Sequence, residues 1–143
     1  MNNEILTKIQ AYYEEVNPPV MTFDHWIRAN ITSFSPGEVT ITWNPKDVHI
    51  NRYGAIHGGA LAGLVDVVGA IATLSLGKRV VTTDMNLSFL KMGKLETTIT
   101  ARAHVFHRGR SIMRTSVEFF NENHQLLVKA QLSFFVLGDL SLE

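Results

Sequence analysis

The residues best suited to chemistry lie in a glycine-rich segment near the middle of the chain. Asn51 opens this segment, the triplet His57-Gly58-Gly59 follows, and Asp66 lies further on. The glycine pair removes side chains from the first turn of a predicted helix, where free backbone N–H groups and the helix dipole favour a bound anion. Backbone donors of this kind suit the oxyanion that develops when a carbonyl is attacked. The segment therefore predicts an oxyanion-binding turn.

Asp66 lies about two turns beyond the triplet on the same predicted helix. A carboxylate among apolar residues is costly unless it has a partner or a function. Its neighbours at helical spacing are small, which leaves a narrow slot beside the carboxylate; they are Ala62, Gly63, Gly69 and Ala70. Two interpretations stay open at this point. Asp66 is a catalytic base beside the slot, or it is a structural group that bonds the backbone of a neighbouring segment.

Hydrophobic periodicity predicts the elements that position these residues. A long central helix, Gly59–Gly77, is apolar nearly all round and must be enclosed on most sides. An amphipathic N-terminal helix is predicted within residues 1–17, where Asn17-Pro18-Pro19 ends it. Alternation of apolar and polar residues predicts six strands, which are Trp26–Ser33, Glu38–Trp43, Val81–Phe89, Leu95–Val105, Ile112–Phe120 and Leu126–Val136.

These elements predict an α+β fold in which a curled antiparallel sheet of about six strands wraps a long central helix. The whole chain, residues 1–143, is expected to form a single domain. Its 13 basic residues balance 13 acidic ones, which argues against a general nucleic-acid-binding protein. The absence of cysteine excludes a thiol nucleophile and a thiolate metal site.

The predicted central helix is apolar enough to raise the question of whether it spans a membrane. Asp66 argues against a span, since an aspartate at mid-membrane costs about 2.5–3.5 kcal/mol on insertion scales. The N-terminal residues lack the basic start and apolar run of a secretory signal. We therefore expect a helix that is buried in the core of a cytoplasmic protein and no membrane partner.

Other residue patterns give weaker candidates. The sequence contains no Gly-x-Ser-x-Gly nucleophile elbow and no phosphate-binding loop of the Walker type. His104 and His107 are expected to point to opposite faces of a strand and its turn, so no metal site is predicted. His25, His49 and His124 are expected on solvated loops.

A basic stretch between Ser88 and Arg114 is offset by acidic residues elsewhere. Six basic residues and one acidic residue give this stretch a local charge of +5. One interpretation is an ordinary solvated strand face. The other is a patch that holds the phosphates of a small anionic ligand, for which Arg110 is the first candidate and Arg108 the next.

The sequence as a whole resembles the PaaI-type hotdog-fold acyl-CoA thioesterases. The resemblance extends from about residue 20 to 137 and rests on Asn51, the His57-Gly58-Gly59 triplet, Asp66, the strand 81–90 and Gly109-Arg110. It implies an enzyme that hydrolyses an acyl or aryl-acyl thioester of CoA to the free acid and CoA, without a metal or other cofactor. It also implies a homodimer or a homotetramer built from two dimers.

The resemblance further implies a role for each site residue. The Gly58 N–H would polarise the thioester carbonyl, and His57 would shape the turn. Asp66 of the other subunit would act as general base or nucleophile, Asn51 would orient the water or the thioester, and Thr82 would bond near the carboxylate. The implied substrate-binding residues are Gly59, Arg110, Arg108 and Lys91.

Two positions depart from the pattern of the family. Lys91-Met92-Gly93 stands where many relatives have a proline, and Asp66 matches only the subgroup with aspartate rather than glutamate at this helix position. The alternative functions are a non-catalytic acyl-CoA-binding or structural module and a hydratase on the same fold. The combination of Asn51 and Asp66 favours catalysis, since a binding module needs no base.

Overall fold

The computed structural model describes residues 3–141. Three α-helices occur in this part of the chain, and they are α1 Asn3–Tyr13, α2 Phe23–Ile27 and α3 Gly58–Leu74, with a short 3₁₀ turn at Asp47–His49. Its six strands are β1 Asn30–Ser35, β2 Glu38–Trp43, β3 Lys78–Phe89, β4 Ile99–Arg108, β5 Ile112–Phe120 and β6 Leu126–Asp139.

All six strands form one antiparallel sheet in the order β1-β2-β4-β5-β6-β3. The sheet curls around α3, which contacts five of the strands, β2 to β6. This enclosure is why α3 is apolar nearly all round: Leu64, Val65, Val68 and Ile71 are completely buried. The predicted α+β fold, with its curled sheet around a central helix, is therefore confirmed.

α1 corresponds to the N-terminal helix that was predicted within residues 1–17. It ends at Tyr13, before the two prolines, and it buries Ile9 and Tyr13 against the core. The parts of the predicted helix and of the predicted domain that fall on residues 1–2 and 142–143 lie outside the described residues.

The segment before β1 folds differently from the sequence prediction. The predicted strand Trp26–Ser33 is wrong at its start, because Trp26 lies in α2 and β1 begins at Asn30. Arg28 ends α2 in the left-handed conformation with φ 54°, and its N–H donates to the Asp24 carbonyl oxygen. A helix of five residues is shorter than the span over which helical periodicity becomes visible.

The central helix occupies nearly the predicted segment. It begins at Gly58 and ends at Leu74, so it starts one residue earlier and ends three residues earlier than expected. The Ser75 hydroxyl donates to the Ala72 carbonyl oxygen over 2.6 Å at this end. Gly77, with φ +80°, then turns the chain into β3. Its positive φ explains why glycine marks the turn rather than the last helical residue.

β4 lies further along the chain than predicted. It begins at Ile99 rather than Leu95, because the Lys94 N–H donates to the Thr97 hydroxyl and the Thr97 N–H donates back to the Lys94 carbonyl oxygen. This turn occupies the start of the predicted strand. The other end of β4 extends to Arg108.

β3 forms an exposed edge of the sheet. It pairs with β6 on one side only, it is 12 residues long, and none of its residues is fully buried. A long edge strand presents unpaired N–H and C=O groups, which suits it to pair with a strand of another chain.

Candidate active site

His57 starts α3 and shapes its first turn. Its backbone is extended, with φ −61° and ψ 134°, and its Nδ1 atom accepts a hydrogen bond from the Gly59 N–H over 2.8 Å. Its carbonyl oxygen accepts from the N–H groups of Ala60 and Leu61 at 3.0 and 3.1 Å. Its own N–H donates to the His49 carbonyl oxygen over 2.7 Å, which ties the turn to the 3₁₀ turn before it. His57 is therefore the N-cap of α3.

This first turn leaves one backbone donor free. The Gly59 N–H is taken by His57, whereas the Gly58 N–H makes no hydrogen bond within residues 3–141. The ring of Phe89 lies against Gly58, with its nearest atom 3.4 Å from the position that an added Cβ would occupy. The Gly58 N–H is thus the donor that a ligand oxygen can use, at the positive end of the helix dipole.

Asn51 lies in a tight loop that precedes this turn. Its Oδ1 atom accepts hydrogen bonds from the N–H groups of Tyr53 and Ala55, at 2.9 and 3.1 Å. Gly54, with φ +82°, lets the chain reverse between them. Since the oxygen of the Asn51 amide holds the loop together, its Nδ2 group is the one left to donate to a ligand or a water.

Asn51 and Gly58 line the same cavity, which has a volume of about 350 Å³. Phe89 and Lys91 also line it, as do apolar side chains that include Leu61. Cavities of this size hold small-molecule ligands in many proteins. The structure therefore brings together Asn51, Gly58 and Lys91, three of the residues that the sequence analysis selected.

Asp66 lies in the middle of α3, next to β3. The Thr82 hydroxyl donates to its Oδ1 atom over 2.6 Å. The side of α3 that the sheet leaves half-exposed carries small residues around this carboxylate, which are Ala62, Gly63 and Ala70; Leu74 follows further along this side. Gly69 was expected to line this slot, but that expectation is wrong. It faces the sheet, where an added Cβ would lie 3.1 Å from Leu132.

The structure adds two neighbours of Asp66 that the sequence analysis missed. Burial is the main cause that raises the pKa of Asp24, and the charge of Asp66 raises it further, while the Tyr12 hydrogen bond and His25 lower it. Burial also raises the pKa of Tyr13 well above its usual range, with Asp24, Tyr12 and Asp66 adding to the effect. α1 and α2 therefore place ionisable groups near this carboxylate.

Gly58 and Asp66 lie too far apart in one chain to act on one carbonyl group. They are separated by eight residues of α3, which at 1.5 Å per residue is about 12 Å along the helix axis. Reacting atoms have to approach to about 3–3.5 Å. The described chain thus holds two half-sites, the donor turn with its cavity and the Asp66–Thr82 pair.

The basic residues of the stretch 88–114 do not form one patch. Lys91 lies in the cavity at the N-terminal end of α3. Arg108 lies near the other end, where its guanidinium nitrogen is 2.7 Å from the position of an added Cβ on Gly37 and Leu76 contacts the same point. Arg110 is exposed in the turn that follows β4.

Comparison with known proteins decides the family. The family model of the thioesterase superfamily matches residues 53–128, which is more than half of the chain. The chain belongs to the thioesterase superfamily. The resemblance to PaaI-type hotdog-fold thioesterases is thereby confirmed; it rested on Asn51, the His57-Gly58-Gly59 triplet, Asp66, the strand 81–90 and Gly109-Arg110.

Three relatives of this thioesterase-superfamily chain show how far the similarity extends. Acyl-coenzyme A thioesterase 13 of Homo sapiens is 33% identical over 97 residues, which are 66% of this chain and 69% of the relative. A hypothetical thioesterase of Streptococcus pneumoniae, solved with coenzyme A, is 31% identical with a TM-score of 0.77, over 79% of this chain and 88% of that one. The PaaI protein of E. coli has a TM-score of 0.85 at 23% identity, over 97% and 98% of the two chains, and so shows the same fold.

The pneumococcal thioesterase was also solved with alanine in place of an aspartate and, separately, in place of a threonine. Those two positions lie sixteen residues apart, with the aspartate first. Asp66 and Thr82 have the same order and the same separation.

Two histidines that were expected on solvated loops are buried in this superfamily member. His25 and His49 are each 2% exposed, while His124 is exposed in a turn as expected. His49 packs its ring between Trp26 and Trp43, with ring centroids 4.5 and 5.0 Å away. Burial between two indole rings is a tertiary effect that local polarity does not reveal.

We expect the buried His49 to make folding pH-dependent. Burial lowers the pKa of His49, so the folded protein keeps it neutral while the unfolded chain takes up a proton near 6.5. The unfolded state then binds more protons below about pH 6.5, so the free energy of unfolding falls as the pH falls, by at most about 1.4 kcal/mol per pH unit for one proton. Urea denaturation between about pH 5 and 8 measures this slope.

The slope of the free energy of unfolding against pH should be smaller in His49→Gln than in the wild-type protein. His107→Gln is the matched control, because His107 is exposed and its loss should leave the slope unchanged. Equal slopes in His49→Gln and the wild-type protein would show that His49 is not the group responsible.

His104 and His107 were expected to point to opposite faces, and this expectation is also wrong. A register shift in β4 between Val105 and His107 places both histidines on the same face of the sheet, where His104 pairs with Ser116 and His107 with Arg114. Even so, residues 3–141 contain no cluster of three or more His, Asp or Glu that could hold a metal ion. No helix in this described range is long and apolar enough to cross a membrane.

Proposed function

We propose that this chain hydrolyses an acyl-CoA thioester to the free acid and CoA. One observation carries the proposal: the Gly58 N–H is the unused donor of its helix turn and shares a cavity with the Asn51 amide. Two N–H donors at one cavity suit the oxyanion of a thioester under attack. The Asp66 carboxylate, held by Thr82, supplies the basic group that the reaction also needs.

The proposed reaction proceeds through a tetrahedral intermediate. Water attacks the thioester carbon, and the Asp66 carboxylate takes one of its protons. The carbonyl oxygen becomes an oxyanion that the Gly58 N–H stabilises, with Asn51 orienting the water or the thioester. The carbon–sulfur bond then breaks, and the CoA thiolate leaves and takes a proton from Asp66. In the other version the Asp66 carboxylate attacks the carbon itself, the carbon–sulfur bond breaks and the CoA thiolate leaves. Water then hydrolyses the resulting anhydride, which releases the acid and restores the Asp66 carboxylate, and the proton set free goes to the thiolate.

The two half-sites would be completed by a second copy of the chain. The exposed edge of β3 can pair with β3 of the partner about a two-fold axis. In such an antiparallel pair the α3 helices also run in opposite directions, so the N-terminal end of one approaches the middle of the other. Asp66 of one protomer would then face the partner's Gly58 N–H, which removes the separation of about 12 Å within one chain.

The same arrangement gives a role to the dispersed basic residues. Arg108 lies near the C-terminal end of α3, and Arg110 follows it in the next turn. In an antiparallel pair with Asp66 opposite the partner's Gly58, this end of α3 extends past the partner's donor turn, on the side to which the CoA part of a bound thioester can reach. We propose that Arg110 and Arg108 hold the CoA phosphates together with Lys91, and that Gly59 leaves room for the substrate.

Arg110→Ala should raise KM for acyl-CoA about tenfold and leave kcat nearly unchanged, because a phosphate contact far from the carbonyl binds ground state and transition state equally. Steady-state kinetics on the purified variant measure KM and kcat separately. Arg102→Ala is the matched control, since Arg102 is exposed on the outer face of β4, where it pairs with Glu118. An unchanged KM in Arg110→Ala would contradict the assignment.

The relatives support the proposal in two ways. The pneumococcal thioesterase was solved with coenzyme A, and human acyl-coenzyme A thioesterase 13 carries the activity in its name. The aspartate and threonine that were replaced in the pneumococcal protein match the spacing of Asp66 and Thr82. The proposal includes no cofactor apart from the CoA of the substrate, a homodimer or a homotetramer of two dimers, and a place in the cytoplasm.

A thiol-release assay on a panel of acyl-CoA and aryl-acyl-CoA thioesters tests the proposed function. Acyl-carrier-protein thioesters belong in the same panel, because both carriers present the same thioester. We expect release of free CoA from at least one acyl-CoA by the wild-type protein. Binding of acyl-CoA without release would instead identify a non-catalytic binding module, and addition of water to an enoyl-CoA would identify a hydratase.

A further inference from the structure

Phe23 has an unusual place in the structure for a large apolar side chain. Its ring lies directly on Gly63 of α3, where Cζ and Cε1 are 2.5 and 2.9 Å from the position that an added Cβ would occupy. Even so, 52% of the residue is exposed. One side of the ring is therefore seated on the helix, the Trp26 ring packs beside it with the two centroids 5.4 Å apart, and the remaining side is open.

The ring lies next to the proposed catalytic carboxylate. Gly63 and Asp66 are three residues apart on the half-exposed side of α3, and residues at this spacing are neighbours on a helix surface. The pKa of Asp24, the residue after Phe23, is raised in part by the charge of Asp66, which agrees with this proximity. The open side of the ring thus borders the space beside Asp66.

Hydrogen bonds at both ends of α2 hold the backbone of Phe23 in place. The Thr22 hydroxyl bonds the His25 ring over 2.8 Å, and the other ring nitrogen of His25 bonds the Tyr12 carbonyl oxygen over 3.0 Å. At the far end, the Trp43 indole N–H donates to the carbonyl oxygen of Ile27, which is completely buried. With its backbone held and its ring packed against both Trp26 and Gly63, Phe23 can act as a wall.

Gly63 is explained by the same contact. Glycine in the interior of a helix is less stable than alanine, so its presence needs a structural reason. An alanine Cβ at this position would lie far inside contact distance of the ring. The helix therefore leaves the side chain out at the one place where Phe23 lies on it.

We propose that Phe23 is a specificity-determining residue that forms the wall of the acyl slot beside Asp66. This inference rests on the proposed thioesterase function. With the thioester carbonyl at Asp66, the acyl carbons next to it lie against the open side of the ring. The ring limits the room beside the carbonyl, so the slot admits an unbranched or a flat aromatic acyl group and excludes a group that is branched at the carbon next to the carbonyl.

Two substitutions should shift this specificity in opposite directions. Phe23→Ala removes the wall, so the ratio of kcat/KM for isobutyryl-CoA to that for butyryl-CoA should rise about tenfold or more, since one methyl group in a slot is worth at least that factor. Gly63→Ala pushes the ring off the helix and into the slot, so the same ratio should fall. Phe23→Leu, which keeps most of the packing, should give an intermediate ratio.

Val20→Ala is the matched control, because Val20 is 69% exposed in the segment before α2 and its loss should leave the ratio unchanged. Thermal denaturation establishes that each variant is folded, and Phe23→Leu replaces Phe23→Ala if the latter unfolds. An unchanged ratio in folded Phe23 and Gly63 variants would overturn the proposal while leaving the thioesterase function in place.

Binding of non-hydrolysable thioether analogues of butyryl-CoA and isobutyryl-CoA separates this inference from the proposed function. Calorimetry should give the same order of preference in wild-type, Phe23→Ala and Gly63→Ala proteins as the kinetics. If the wild-type protein releases no CoA from any thioester, the proposed function fails. A binding preference that still shifts with Phe23 then supports the wall, and a preference that does not shift overturns it.

Discussion

Asp66→Ala is expected to abolish thioester hydrolysis while the protein stays folded. Asp66 is the basic group of the proposed mechanism, and loss of a general base lowers kcat by about 10²–10⁴-fold. The cost in stability should be modest, because the half-exposed Asp66 side chain gives up one hydrogen bond, from Thr82, and a bond to a charged group is worth about 1.5–3 kcal/mol. Thiol release and thermal denaturation on the same preparation measure both effects.

The control for Asp66→Ala is Asp84→Ala. Asp84 lies on the same edge strand as Thr82, but it is exposed and pairs with Ser133 on the outer face of the sheet. Its loss should leave kcat nearly unchanged. Asp66→Asn adds a variant of almost the same shape that lacks the base. Wild-type activity in folded Asp66→Ala would remove the carboxylate from the mechanism.

Gly58→Pro should lower kcat about 10²–10³-fold, the typical effect of removing one oxyanion donor. Proline has no N–H, so the substitution deletes the one free donor of the first turn of α3 and leaves the His57 cap in place. The first position of a helix tolerates proline well, so we expect the fold to persist. KM should change much less than kcat, since the oxyanion exists only after attack has begun.

Gly58→Ala separates the N–H group from the shape of the site. It keeps the donor and adds a Cβ that would lie 3.4 Å from the Phe89 ring, an ordinary contact distance. Its loss of activity should be smaller than that of Gly58→Pro. Equal kcat values for the proline and alanine variants would show that the N–H group contributes nothing to the reaction.

An element of this fold could be predicted where the pattern of its own residues determines it, and could not where contacts with distant residues determine it. β2 and β5 have the predicted bounds, since one face of each strand is buried and the alternation is clear along its whole length. α2 was missed because five residues show no period, and its position depends on the Trp43 bond to Ile27. The register shift that brings His104 and His107 to one face is equally a product of strand pairing.

The candidate site likewise combines features that residue types reveal with features that depend on the fold. The His57-Gly58-Gly59 triplet and Asp66 could be selected from residue types. The hydrogen bond between Thr82 and Asp66 agrees with what the family resemblance implied. Which of the two glycine N–H groups is free could not be known, since it depends on the rotamer of His57. The effect of the Asp66 charge on the pKa of Asp24 depends on how α2 lies against α3, which only the fold reveals.

In the proposed dimer, each site combines the Gly58 turn of one protomer with Asp66 of its partner. Co-expression of Asp66→Ala and Gly58→Pro chains in equal amounts, with activity measured on the mixed protein, tests it most directly. Random pairing gives half mixed dimers, each with one intact site of two, so the mixture should recover about a quarter of wild-type kcat. A mixture no more active than the two variants measured separately would contradict the shared site.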